Sequence, residues 1–249
     1  MSETISIQNK RYYVIPDRTK TFLPSVTTII GSMSDKTGLD EWRKKVGDEK
    51  ADKISKFSAN RGTLMHTYVE KFLIHPSLDK KERLLSTLKE VSEYAKDNRF
   101  TKDELDVGRK LFYNFYMNGN FDNIQEIVMQ EQMLYSFNGG GYAGRVDNIH
   151  LNRQGLIVVT DFKTSKKPKK DEWIDGYKMQ ISAYYVAYWE LFGVKPSHGE
   201  IWISNEEDNI PQIFTVTSSE LKECYGKFLK MVKGYHEKFS TEVQEYINK

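Results

Sequence analysis

The chain has 249 residues, with 37 Lys and Arg against 35 Asp and Glu, a formal net charge of +2. That length suits one domain with a substantial core, and so small a net charge excludes bulk attraction to polyanions, leaving only local patches. The single Cys224 excludes an internal disulfide framework and a four-thiolate iron–sulfur cluster. No apolar run reaches membrane-spanning length, and the opening MSETISIQNK has neither an apolar signal core nor an arginine-rich amphipathic pattern, so a cytoplasmic location is expected.

Residues 4–15 read as a hairpin turning near Asn9. Pro24 pre-sets a helix that Ser25 or Thr27 can cap, with Val26, Ile29, Ile30 and Met33 as its apolar stripe. A second amphipathic helix is expected over 39–57 (Leu39, Trp42, Val46, Ile54, Phe57) and a third over 58–73 (Leu64, Met65, Tyr68, Val69, Phe72). His66 and Glu70 are four apart and share another part of that surface. Two more helices are expected over 79–95 and 101–116, the second opening on a Thr101/Glu104 capping box. Phe112, Tyr113, Phe115 and Tyr116 suit a core stripe or, alternatively, a stacking surface for bases.

Residues 126–135 read as a strand on which Ile127, Met129, Glu131, Met133 and Tyr135 share a face. Glu131 is the odd member, a carboxylate among apolar neighbours. Asn138-Gly139-Gly140-Gly141 then links it to a returning strand. Residues 145–151 and 156–162 form the next hairpin. If Arg153-Gln154-Gly155 is its loop, Leu151 pairs with Ile157 and Asp147 falls opposite Asp161. Lys163 lies two residues past Asp161 on the same face. Two carboxylates and an ammonium thus meet at one end of an apolar surface (Ile149, Leu151, Ile157, Val159), where unpaired charge is costly. Hard carboxylate oxygens suit Mg²⁺.

Five lysines stand between 163 and 170, and Pro168 keeps that stretch from becoming helix. Lys166 and Lys167, so close to two acids, are placed to meet a phosphate. A helix over 173–192 turns Tyr177, Ile181, Tyr184 and Tyr188 inward and places Gln180 to orient Lys163 or a water. A hairpin (200–204, 212–217) and a C-terminal helix opened by a Thr217/Glu220 capping box close the chain. His75, His150 and His198 have no second ligand at a convincing spacing.

Gly144-Arg145-Val146-Asp147, Asp161-Phe162-Lys163-Thr164-Ser165 and Gln180-Ile181-Ser182-Ala183-Tyr184, preceded by Pro24-Ser25-Val26-Thr27 and by Arg61-Gly62-Thr63 with His66, together resemble the PD-(D/E)XK nuclease superfamily. The similarity is to its RecB-like branch, which holds the mitochondrial genome maintenance exonuclease and phage and bacterial relatives. It spans roughly residues 23–188. It implies an α/β (α+β), restriction-endonuclease-like core, a central mixed sheet flanked by helices, preceded by a helical region. One nuclease domain is expected over 1–249, mainly helical to 125, with the core sheet and helix over 126–217 and a C-terminal helix over 218–249.

The resemblance also implies Mg²⁺ or Mn²⁺ held by Asp147 and Asp161 with His66 and Glu131, and catalysis by Asp147, Asp161, Lys163 and Gln180. Nucleic acid would be contacted by Ser25, Thr27, Arg61, Arg145, Thr164, Ser165, Lys166, Lys167 and Tyr184, with simple helix capping the alternative for Ser25 and Thr27. The expected activity is exonucleolytic hydrolysis of single-stranded DNA in a bacterial or phage-infected cell, beside replication or recombination proteins. A double-strand end-processing nuclease and a catalytically silent binding protein are the alternatives.

Overall fold

The computed structural model describes residues 3–16, 21–75 and 79–247, without the side chains of 240, 242, 244 and 247. It begins with an antiparallel sheet, β1 (Thr4–Ile7), β2 (Lys10–Val14) and β3 (Phe22–Pro24). Gln8 and Asn9 turn the first hairpin with φ of 48° and 62°, the left-handed pair that a two-residue turn demands. Helix α1 (Val26–Met33) follows, with Ser25 as its cap.

Helices α2 (Thr37–Val46) and α3 (Asp48–Leu73) replace the expected 39–57 and 58–73 pair. The break falls at Gly47, whose φ of 86° suits glycine far better than a side-chain-bearing residue. Nothing stops the helix at 57–58, where neither glycine, proline nor a cap intervenes. Helix α4 (Lys80–Asp97) is capped by Asp79, and α5 (Lys102–Met117) by the Thr101/Glu104 box.

The larger sheet has five strands in chain order: β4 (Ile124–Ser136), β5 (Tyr142–Asn152), β6 (Ile157–Ser165), β7 (His198–Asn205) and β8 (Gln212–Val216). Neighbours are antiparallel except β6 and β7, which run parallel. That pair needs a crossover, and α6 (Asp175–Phe192) supplies it. On one face, Ile149, Val159, Ile201 and Ile203 pack with Ile181 of α6 and with Phe228 and Val232 of α7 (Ser218–Ile247). On the other, Phe162 and Trp202 pack with Leu64 and Met65 of α3 and with Phe112 and Phe115 of α5. The α5 aromatics Phe112 and Phe115 are thus core. A bridge from Ser25 to Ala143 ties the small sheet to β5.

This is the mixed sheet flanked by helices of a restriction-endonuclease-like fold. The β5–β6 register is the expected one: Leu151 pairs with Ile157 and Ile149 with Val159, about a turn in which Gly155 has φ of 72°.

Candidate active site

The β5–β6 ladder stops at Asn148–Thr160, although both strands continue. Beyond that rung β5 stays with β4, down to Tyr142–Ser136, and β6 stays with β7, up to Ser165–Asn205. The sheet therefore forks. Asp147 sits at the crotch, where its Oδ2 accepts the Phe162 N–H at 2.8 Å in place of the next rung. Helix α3 crosses the fork and brings His66 Nδ1 to 3.6 Å from the same oxygen.

Glu131 reaches the fork from β4. Its φ of 51° is a left-handed excursion that non-glycine residues adopt at a cost of about 1–3 kcal/mol, and Met129 and Met133, which strict alternation would set on one face with it, pack in different core clusters on either side of it. His66, Glu131 and Asp147 each offer an atom within 4.8 Å of the others. Asp161 lies outside that group. Its carboxylate is fully buried, ion-paired with Lys163 and accepting from Gln180 Nε2 at 3.0 Å. The Lys163 ammonium also lies 5.3 Å from the centroid of the Tyr177 ring.

The electrostatics follow from shared burial. Glu131 is pushed up to about 8 by burial and by the Asp147 charge, with Arg145 pulling against both. Burial raises Asp147, and it raises Asp161 to about 6, against the pull of Lys163 in each case. His66 is lowered to about 4 by burial and by Lys163, so near neutral pH its imidazole keeps a free lone pair. Protonation-prone carboxylates beside an unprotonated imidazole form a donor set for a divalent cation. The set fits the ion.

A cavity of about 740 Å³ opens over these groups, within the range of ligand clefts. Thr27, Arg145, Thr164 and Tyr184 line it together with His66, Glu131, Asp147, Lys163 and Gln180. Other residues named from the sequence do not. Ser25 is buried and caps α1, accepting from Thr28 N at 3.0 Å. Arg61 is 5% exposed and ion-paired with Glu206, a tie between α3 and the turn after β7. Ser165 is buried, its hydroxyl donating to the Lys167 carbonyl at 2.6 Å. Lys166 is exposed outside the cleft, and so is Lys167, which faces Glu207 at 3.7 Å. Arg11, Lys71 and Tyr94 also line the cleft; Arg11 and Tyr94 stand on β2 and α4, which carry no motif, and Lys71 lies on α3 beyond the Arg61–His66 motif.

A forked mixed sheet with acids, a lysine and a glutamine at its crotch is the frame of a nuclease. A family model of the PD-(D/E)XK nuclease superfamily matches residues 37–249, and the chain belongs to that superfamily. Its nucleases use divalent metals and act on nucleic acid. Among solved structures, the chain is similar to a protein from Eubacterium rectale provisionally named an exonuclease, with 16% identity over 74% of this chain and 68% of that one and a TM-score of 0.46. It is also similar to SSO0001, with 18% identity over 66% of this chain and 84% of that one and a TM-score of 0.34. Likenesses this distant assign no activity. No curated protein matches the chain. No helix among the described residues is long and apolar enough to cross a membrane.

Proposed function

We propose that the chain is a Mg²⁺- or Mn²⁺-dependent deoxyribonuclease that hydrolyses single-stranded DNA from its free ends. The observation carrying this is the convergence of His66, Glu131 and Asp147 within 4.8 Å, next to a Lys163–Asp161–Gln180 chain. His66, Glu131 and Asp147 would hold the ion. When bound, it would lower the pKa of a water and polarise the phosphate.

Lys163 supplies a positive charge where negative charge grows on the phosphoryl oxygens, already oriented and so without reorganisation cost. Asp161 orients that ammonium and borders the ion-binding group. Gln180 holds Asp161, and its own amide lies 3.4 Å from the Tyr184 hydroxyl. Thr164, Thr27 and Arg145 face the cleft, where they can meet the sugar–phosphate chain. The preference for single-stranded ends rests on the five-motif resemblance. The β6–α6 stretch with Lys166 and Lys167 is proposed to lie along the strand's path outside the cleft.

The test is a Mg²⁺-dependent assay on linear single-stranded, linear duplex and closed circular single-stranded DNA, with each terminus blocked in turn. Mononucleotide or short-oligonucleotide release from linear single strands, and none from circles, is expected. Cutting of circles would overturn the exonuclease reading, and preference for duplex would overturn the single-strand one.

A further inference from the structure

We propose that Arg11 is a substrate-positioning residue, holding a backbone phosphate that is not the one being cut. The inference rests on the nuclease reading above and adds a residue that none of the motifs contains. Among the described residues, the cations lining the cleft are Arg11, Lys71, Arg145 and Lys163. Three of them already face carboxylates. Arg145 Nε is 2.7 Å from Glu131, Lys71 is 3.3 Å from Glu90, and Lys163 is paired with Asp161. Outside the cleft, Arg61 and Lys167 face Glu206 and Glu207 in the same way.

Arg11 differs. Its Nη2 donates to the Thr27 hydroxyl at 3.0 Å, and its guanidinium carbon lies 5.8 Å from the centroid of the Tyr13 ring. Among the described residues, no carboxylate forms an ion pair with it. A guanidinium has five N–H donors in a rigid fork, so one bond to a hydroxyl leaves most of them, and the whole charge, facing the exposed mouth of the cleft.

The side chain is also held at a fixed starting point. The Arg11 carbonyl accepts from Ser25 N at 2.9 Å, while the β2–β3 pairing Tyr12–Pro24 fixes the strand beside α1. A planar fork, pre-oriented by a hydroxyl and a ring and uncompensated in charge, matches a phosphodiester oxygen pair.

Binding is measured by fluorescence anisotropy of an end-labelled single-stranded oligonucleotide in EDTA, over a series of salt concentrations, for the unmodified protein, Arg11→Ala and Arg11→Lys. Arg11→Ala is expected to weaken binding about tenfold and to reduce the slope of log K against log salt by about 0.7, the increment for one phosphate on a single strand. Arg11→Lys is expected to restore the slope but not the full affinity, because the charge remains and the fork is lost. Unchanged melting temperatures check that β2 and α1 stay together. Unaltered affinity in Arg11→Ala overturns the inference alone, as does weaker binding with an unaltered salt slope. Failure of the unmodified protein to bind overturns the proposed function and this inference with it.

Discussion

Lys163 keeps its charge although only 17% of its side chain meets solvent. Burial pulls its pKa down, but Asp161 and Asp147 outweigh burial and hold it above the ordinary lysine value. The ammonium is therefore a fixed cation, and its removal should cost turnover while the fold persists at reduced stability, since Asp161 loses its buried partner. Lys163→Ala is expected to lose about 10²–10³-fold in kcat, the scale for one preorganised donor to a developing oxyanion, with far-ultraviolet circular dichroism unchanged. Wild-type turnover in that variant would sink the assignment. Asp161→Asn separates two roles: isothermal titration with Mn²⁺ should leave ion affinity within a few fold if Asp161 serves through Lys163, whereas a loss beyond tenfold marks it as a ligand.

At the scale of the elements, the motif glycine Gly144 has a packing reason. A Cβ there would stand 2.6 Å from Cε1 and 2.9 Å from the hydroxyl of Tyr184, so β5 and α6 approach as closely as they do only without one. Gly144→Ala is expected to cost about 1–3 kcal/mol, as over-packing does, and to lower kcat by shifting Tyr184 and Gln180 together; denaturant unfolding and steady-state kinetics read the two effects. Thr101 is the contrasting case. Its hydroxyl accepts from Glu104 N at 3.2 Å, and Glu104 returns to Thr101 N at 2.8 Å, with neither residue lining the cleft. Thr101→Ala should cost about 1 kcal/mol of stability and leave kcat/KM unaltered.

On the scale of the whole molecule, two ties matter. Arg61 joins α3 to the turn after β7 through Glu206, whose side chain is 28% exposed. Breaking a buried pair costs about 3–5 kcal/mol, and the partial exposure of Glu206 reduces that, so Arg61→Ala is expected to lose roughly 1–3 kcal/mol in chemical denaturation. The other tie is electrostatic and depends on pH. Burial and the Asp147 charge push Glu131 up to about 8 in the folded chain, against its ordinary value of about 4.3 when unfolded, so between those values the folded state holds more protons and stability falls as pH rises. Below about 6.5, His66, lowered to about 4, works in the opposite direction. The clean window is therefore pH 6.5 to 8. In EDTA the melting temperature should fall across it, and Mg²⁺ or Mn²⁺ should raise it more at pH 8 than at 6.5. Glu131→Gln should flatten both responses; a pH-independent melting temperature in the unmodified protein would contradict the placement of Glu131.

Short-range pattern was enough for much of this architecture. Alternating apolar residues and a three-residue turn ending in Gly155 determined the β5–β6 register, and the Thr101/Glu104 and Thr217/Glu220 pairs determined where α5 and α7 begin. Each such signal lies within a few residues of the geometry it dictates. The break at Gly47 was just as local, but the apolar stripe of 39–57 runs through it and masked it. Tertiary structure alone decided which acids converge. The sheet forks one rung before Asp147 would meet Asp161, so Glu131 and His66 close on Asp147 while Asp161 turns to Lys163 and Gln180. It also decided which cations are spent: Arg61 finds Glu206, whereas Arg11 meets Thr27 and Tyr13 and, among the described residues, no carboxylate. The sequence specifies each strand and helix from neighbouring side chains, whereas the partner of a charge is set by where distant elements pack, and only the folded chain carries that information.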